Sequence, residues 1–105
     1  MGLVLSGKYP TIKAQELIIP RHSLAPGATI TLLERTYYKL AVIALHEDGG
    51  ANVRVDITTG NATESAYGNE QALEYVADTT VSISATNEGT VEQYTPTIEI
   101  LYMIW

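Results

Sequence analysis

The strongest constraint on this chain is a two-residue period in its apolar positions. Ile30 and Leu32 alternate with Thr29 and Thr31, Val53, Val55 and Ile57 with Arg54 and Asp56, and Val81, Ile83 and Ala85 with Ser82, Ser84 and Thr86. Side chains of an extended strand point to opposite faces in turn, so each run has one buried face and one wet face. From Tyr38 to Leu45 both alternating sets are apolar, the pattern of a strand covered on both sides. Thirteen Thr, ten Ile, seven Val and seven Tyr among 105 residues reinforce the preference for pleated structure.

Turn residues divide these runs. Pro26-Gly27 precedes the run Ala28–Leu32, and Asp48-Gly49-Gly50 predicts a hairpin joining the Tyr38–Leu45 strand to Val53–Ile57. Asn87-Glu88-Gly89 predicts a second hairpin, from Val81–Thr86 to a return strand at Thr97–Ile104, with Pro96 at a strand start or edge. Thr11–Ile19 reads as a strand ended by Pro20, and its change of face at Glu16-Leu17 points to a bulge. The small, polar stretch from Gly60 to Glu70 reads as a long loop, and Leu73, Tyr75 and Ala77 as a short strand. Together these give an all-β fold: an antiparallel β-sandwich of jelly-roll or Greek-key type, with seven to eight strands and little helix. It forms a single domain over residues 11–105, preceded by an N-terminal arm, residues 1–10.

Charge and length exclude several classes of function. Six basic against twelve acidic residues, a formal charge of -6, repel a phosphate backbone, so nucleic acid is not an expected partner. No apolar stretch approaches the roughly 20 residues that a membrane helix needs, and no membrane partner is expected. Met1-Gly2-Leu3-Val4-Leu5-Ser6 has no basic segment before its apolar residues, so no signal peptide is expected. It also fits an N-myristoylation pattern, without the polybasic stretch that would give stable anchoring. With no cysteine, disulfide and thiolate chemistry are closed to this chain.

No constellation for catalysis emerges. His22 and His46 are the two histidines, there is no Gly-x-Ser-x-Gly elbow, and both histidines read as loop or turn residues. His46, Glu47 and Asp48 are adjacent and cannot all converge on one metal from a strand end. The loop oxygens of Glu47, Asp48, Asn61, Glu64, Asn69 and Glu70 lack the spacing of a dedicated calcium loop. Asp56, Glu92 and Glu99 are the outward carboxylates in mid-strand, and their expected role is to balance Lys39 and Arg54. No catalytic residue, cofactor or metal is therefore assigned. Tyr67, Tyr75 and Tyr94 are the candidate ligand-loop aromatics, suited to a glycan.

The run Ile100–Trp105 is apolar on both alternating faces. One face can meet the domain core, and the other calls for another chain, which makes Leu101, Met103 and Trp105 the candidate oligomer interface. A homo-oligomer is expected, a trimer being favoured.

The segment Pro26-Gly27-Ala28-Thr29-Ile30-Thr31-Leu32 and the Asp48-Gly49-Gly50 turn, in an acidic Cys-free chain of this size, give it a resemblance to small all-β accessory proteins of bacteriophage virions, such as capsid decoration (cement) proteins and fibre or spike head domains. The resemblance implies a non-enzymatic structural virion component. It would be assembled in the host cytoplasm with other virion or capsid proteins as partners, its arm at 1–10 ordering on the capsid. The competing expectation is a carbohydrate- or receptor-binding sandwich module.

Overall fold

A computed structural model describes residues 13–60, 62–70 and 73–104. The arm at 1–10, Trp105 and the side chains of Tyr75 and Met103 lie outside this description. The described residues form eight strands and no helix: β1 (Lys13–Ile19), β2 (Ser23–Leu24), β3 (Thr29–Leu45), β4 (Val53–Thr59), β5 (Ala62–Tyr67), β6 (Leu73–Asn87), β7 (Gln93–Tyr94) and β8 (Ile98–Ile104). All pairings are antiparallel. Six strands make one ladder in the order β1-β8-β3-β6-β4-β5, and β2 pairs with β7 separately.

The two long strands are the spine. The N-terminal part of β3, Thr29–Tyr37, pairs with Thr79–Thr86 of β6, whose Val81–Asn87 continues on to β4 and then β5. The C-terminal part, Leu40–Leu45, lies between Leu73–Ala77 of β6 and Ile98–Tyr102 of β8, with β1 beyond. Register shifts at Thr31/Leu33 and Tyr37/Leu40 add residues to β3. Such bulges bend a strand and increase its twist, letting one continuous strand serve both halves.

Both halves feed one core. Ala41, Ile43 and Leu45 of β3 and Ile98, Ile100 and Tyr102 of β8 join Val53, Val55 and Ile57 of β4 and Val81, Ile83 and Ala85 of β6. Burying each large aliphatic contributes about 1.5–3 kcal/mol, against about 0.2–1 kcal/mol for an exposed cross-strand pair. The interior alternation therefore sets the register. On the outer face, hydroxyls pair across the strands: Thr29 with Thr86 at 2.9 Å, Thr36 with Thr80 at 2.7 Å and Thr58 with Thr63 at 2.9 Å.

Neither expected hairpin forms. β3 does not pair with β4, and β6 does not pair with β8. Instead of closing a two-strand turn, Gly49 and Gly50 donate their N–H groups to Gly68 and Tyr94 carbonyls at 2.9 Å each, so this loop crosses from one half to the other. A Cβ on Gly49 would lie 2.7 Å from the Pro96 nitrogen, which is why a glycine pair stands there. The expected bulge at Glu16-Leu17 is likewise absent: β1 runs in unbroken register against β8 from Lys13 to Ile19. Leu17 packs on the core and Ile19 is buried, while Glu16 and Ile18 face outward. The stretch expected as a loop at 60–70 contains β5, which pairs with β4 from Thr59↔Ala62 to Arg54↔Tyr67, and Gly60 at the end of β4 has φ 65°.

The loops at one end interlock. Pro26-Gly27 makes the expected turn, with Gly27 at φ 77° and Ala28 N–H bonded to the Ala25 carbonyl at 3.0 Å. Asn87, fully buried, donates through Nδ2 to the carbonyls of Leu24 and Val91 at 2.8 Å each and accepts from Gly89 N–H at 2.9 Å.

Candidate functional site

The pairing pattern leaves several backbone edges with a ladder on one side only. Among the described residues of the six-stranded ladder these are β1, β5, the Thr29–Tyr37 segment of β3 and the Leu73–Thr79 segment of β6. A one-sided strand presents N–H and C=O groups that another strand can complete, the basis of strand addition between chains.

Three of these edges differ in their side-chain dressing. Beside β5, Arg54 donates through Nε to both Asp56 oxygens at 3.1 and 3.2 Å and through Nη1 to Glu88. Ser65 donates to Asp56 at 2.6 Å and the Tyr67 hydroxyl to Glu88 at 2.8 Å. The bond to Glu88 raises the Tyr67 pKa, so Tyr67 is a protonated donor at neutral pH. This network ties the outer rim of β5 to β4 and to the end of β6, leaving its polar groups occupied.

Along β1 the outer face carries Glu16, Ile18, Glu99 and His46. His46 Nε2 and Glu99 Oε1 are 3.0 Å apart. A hydrogen bond to Glu99 raises the pKa of Glu16, with desolvation adding to it. Burial would raise Glu99 as well, but its bonds to Glu16 and His46 outweigh that and hold it below the usual carboxylate range. The bond between the two acids therefore favours a proton on Glu16 over one on Glu99.

The free segment of β3 carries a third arrangement. Arg35 pairs across the ladder with Val81 and is exposed, its guanidinium carbon 5.1 Å from the Tyr37 ring centroid and 4.9 Å from that of Tyr102. The two rings lie 5.1 Å apart at 47°. The Tyr102 hydroxyl donates to Gln15 Oε1 at 2.9 Å, whereas the Tyr37 hydroxyl is buried without a hydrogen-bond partner. Burial raises the Tyr37 pKa against the opposing pull of Arg35.

The residues singled out by sequence fall as follows. Leu101 is already buried within the single chain, 6% exposed, between Glu16 of β1 and Val42 of β3. Tyr67 and Tyr94 are both partly exposed but have separate partners, Glu88 for the first and Arg21, 4.8 Å over the ring, for the second. Asp56 pairs with Arg54 along β4 rather than across strands, and Glu99 takes His46 as its partner. His22 is held to the β7 end by Thr95, whose hydroxyl oxygen accepts from the His22 N–H and whose own N–H donates to the His22 carbonyl. Asp48 is bound by the N–H and hydroxyl of Thr97 at 2.8 and 2.6 Å; these bonds overcome the effect of burial and lower its pKa. No three His, Asp or Glu among the described residues converge as a metal site. Sequence reading passed over Arg35 and Tyr37 because a bulge on either side breaks the alternation that would have marked them.

No family model matches the chain, and no curated protein matches it. Among solved structures, the chain is similar to one from Bacillus endospore appendages, which form a novel family of disulfide-linked pili. The similarity covers 100% of both chains with a TM-score of 0.58 at 15% identity, a likeness of fold.

Proposed function

We propose that this chain is a non-enzymatic structural subunit that builds a larger extracellular particle through contacts between copies. The observation that carries this reading is the set of strand edges on the spine left unpaired among the described residues, Thr29–Tyr37 of β3 and Leu73–Thr79 of β6. The two edges belong to different segments, so joining one to the other is a heterologous contact, which propagates into a ring or a filament rather than closing as a symmetric pair. The appendage fold supports the same reading. We take the fold to be a sandwich of jelly-roll type, β1-β8-β3-β6 forming one layer and β3-β6-β4-β5 the other, with β3 and β6 crossing between them. The shared core supports this.

The virion role expected from sequence is a particular case of such assembly. The fold likeness favours an appendage-like filament over a capsid-bound trimer. That neighbour is disulfide-linked, and this chain has no cysteine, so its own assembly relies on packing and hydrogen bonds.

Sedimentation across a concentration series, with amide hydrogen exchange on the assembled and dilute protein, tests the proposal. Growth with concentration, and slowed exchange concentrated in residues 29–37 and 73–79, is the expected outcome. A chain that stays monomeric throughout, or that assembles with those amides still exchanging freely, refutes it.

A further inference from the structure

We propose that Arg35, Tyr37 and Tyr102 form a receiving site for a carboxylate, supplied in the assembly by a second copy of this chain. The inference rests on the assembly reading for the source of the acid, but the site itself has its own evidence. Tyr37 is 2% exposed and its hydroxyl lacks an acceptor. A buried unmade hydrogen bond costs about 1–3 kcal/mol, so such a group in a well-packed interior marks a place completed by something else. Directly over that ring lies Arg35, exposed and, among the described residues, paired with no acid; it rests on two aromatic faces instead. A guanidinium stacked this way keeps its planar fork of donors available. The Tyr102 hydroxyl is committed to Gln15, which holds the second ring as a fixed wall.

The site thus offers the Arg35 fork and the unpaired Tyr37 O–H as donors. Two donors of this kind match a carboxylate, which only accepts, and Arg binds that group bidentately. Arg35 is the movable roof: lifting it from the rings to meet an acid opens the way to the Tyr37 hydroxyl. Its position on the unfinished β3 edge favours a second copy as donor, because a strand added there brings its side chains opposite Arg35. Twelve acids against six basic residues make acid groups plentiful on such a neighbour.

The test compares self-association of wild type, Tyr37→Phe, Arg35→Gln and Arg35→Lys by sedimentation, with thermal melts of each dilute monomer. Tyr37→Phe should melt no lower than wild type, since it deletes an unpartnered hydroxyl, yet associate roughly 5- to 10-fold more weakly. Arg35→Gln should lose about 10-fold and flatten the salt dependence, and Arg35→Lys should recover only part of the loss. A Tyr37→Phe monomer that melts lower while associating as wild type shows a hydroxyl satisfied inside the chain, by water for instance, and overturns the site. Wild-type association by Arg35→Gln does the same while leaving assembly standing. If wild type never associates, sodium acetate decides: an Arg35-dependent change in the tyrosine near-ultraviolet signal keeps the carboxylate site and rejects the second copy as its source, and no change rejects both.

Discussion

At the scale of single residues, the buried polar groups are where this structure is most exposed to change. Asn87 satisfies the carbonyls of Leu24 in β2 and Val91 and the N–H of Gly89, the last two in the loop that follows β6, while having no exposure of its own. Asn87→Ala strands all three, so urea unfolding should report a loss of about 2–4 kcal/mol. The Glu16–Glu99 pair has opposite linkage on its two members. Glu16, raised, contributes stability that is full at acid pH and lost as pH climbs through its folded-state value. Glu99, lowered, contributes stability present at higher pH and lost as pH falls through its own. Glu16→Gln keeps a neutral donor beside Glu99, so the fall in melting temperature between mildly acidic and neutral pH should be smaller than in wild type. A variant with the wild-type profile would remove this pair from the pH response. Little of this was legible in sequence: nothing in the string Thr86-Asn87-Glu88 marks its Asn as buried rather than as a turn residue, because the distant carbonyl of Leu24 decides it.

Among the elements, the faces of the strands were readable and their partners were not. Val53, Val55 and Ile57, and Val81, Ile83 and Ala85, are buried as their alternation requires. Yet the Asp48-Gly49-Gly50 turn reverses the chain without pairing its flanks, since a turn sequence encodes a change of direction and not the ladder in which the next strand lands. β5 escaped notice because five of its six residues are exposed and no apolar alternation survives on it. The available signal was Gly60-Asn61, a dipeptide suited to a two-residue hairpin. Gly60 holds φ 65°, where a β-branched side chain is strained. Gly60→Val should therefore cost about 1–2 kcal/mol and speed hydrogen exchange selectively over Ala62–Tyr67, leaving β3 and β6 protected.

On the scale of the whole molecule, the strand edges on which the assembly proposal rests were not legible in the sequence. The apolar C-terminal run prompted an interface at Leu101, Met103 and Trp105; Leu101 is buried within the chain, and the backbone of β8 is paired on both sides, by β1 and β3. Unfinished edges leave no mark in a hydropathy pattern, because they are a property of backbone order; β3 and β6 have them only because each outruns its neighbours. The pairing of Lys13 with Ile104 places the two ends of the described chain side by side at one margin. Tension applied through those ends would peel β1 from β8 one rung at a time, a weak mode. Tension entering across the flanks of β3 and β6 would instead have to shear many rungs together. A fibre made of such units would resist pulling best when joined flank to flank, with its chain ends slack.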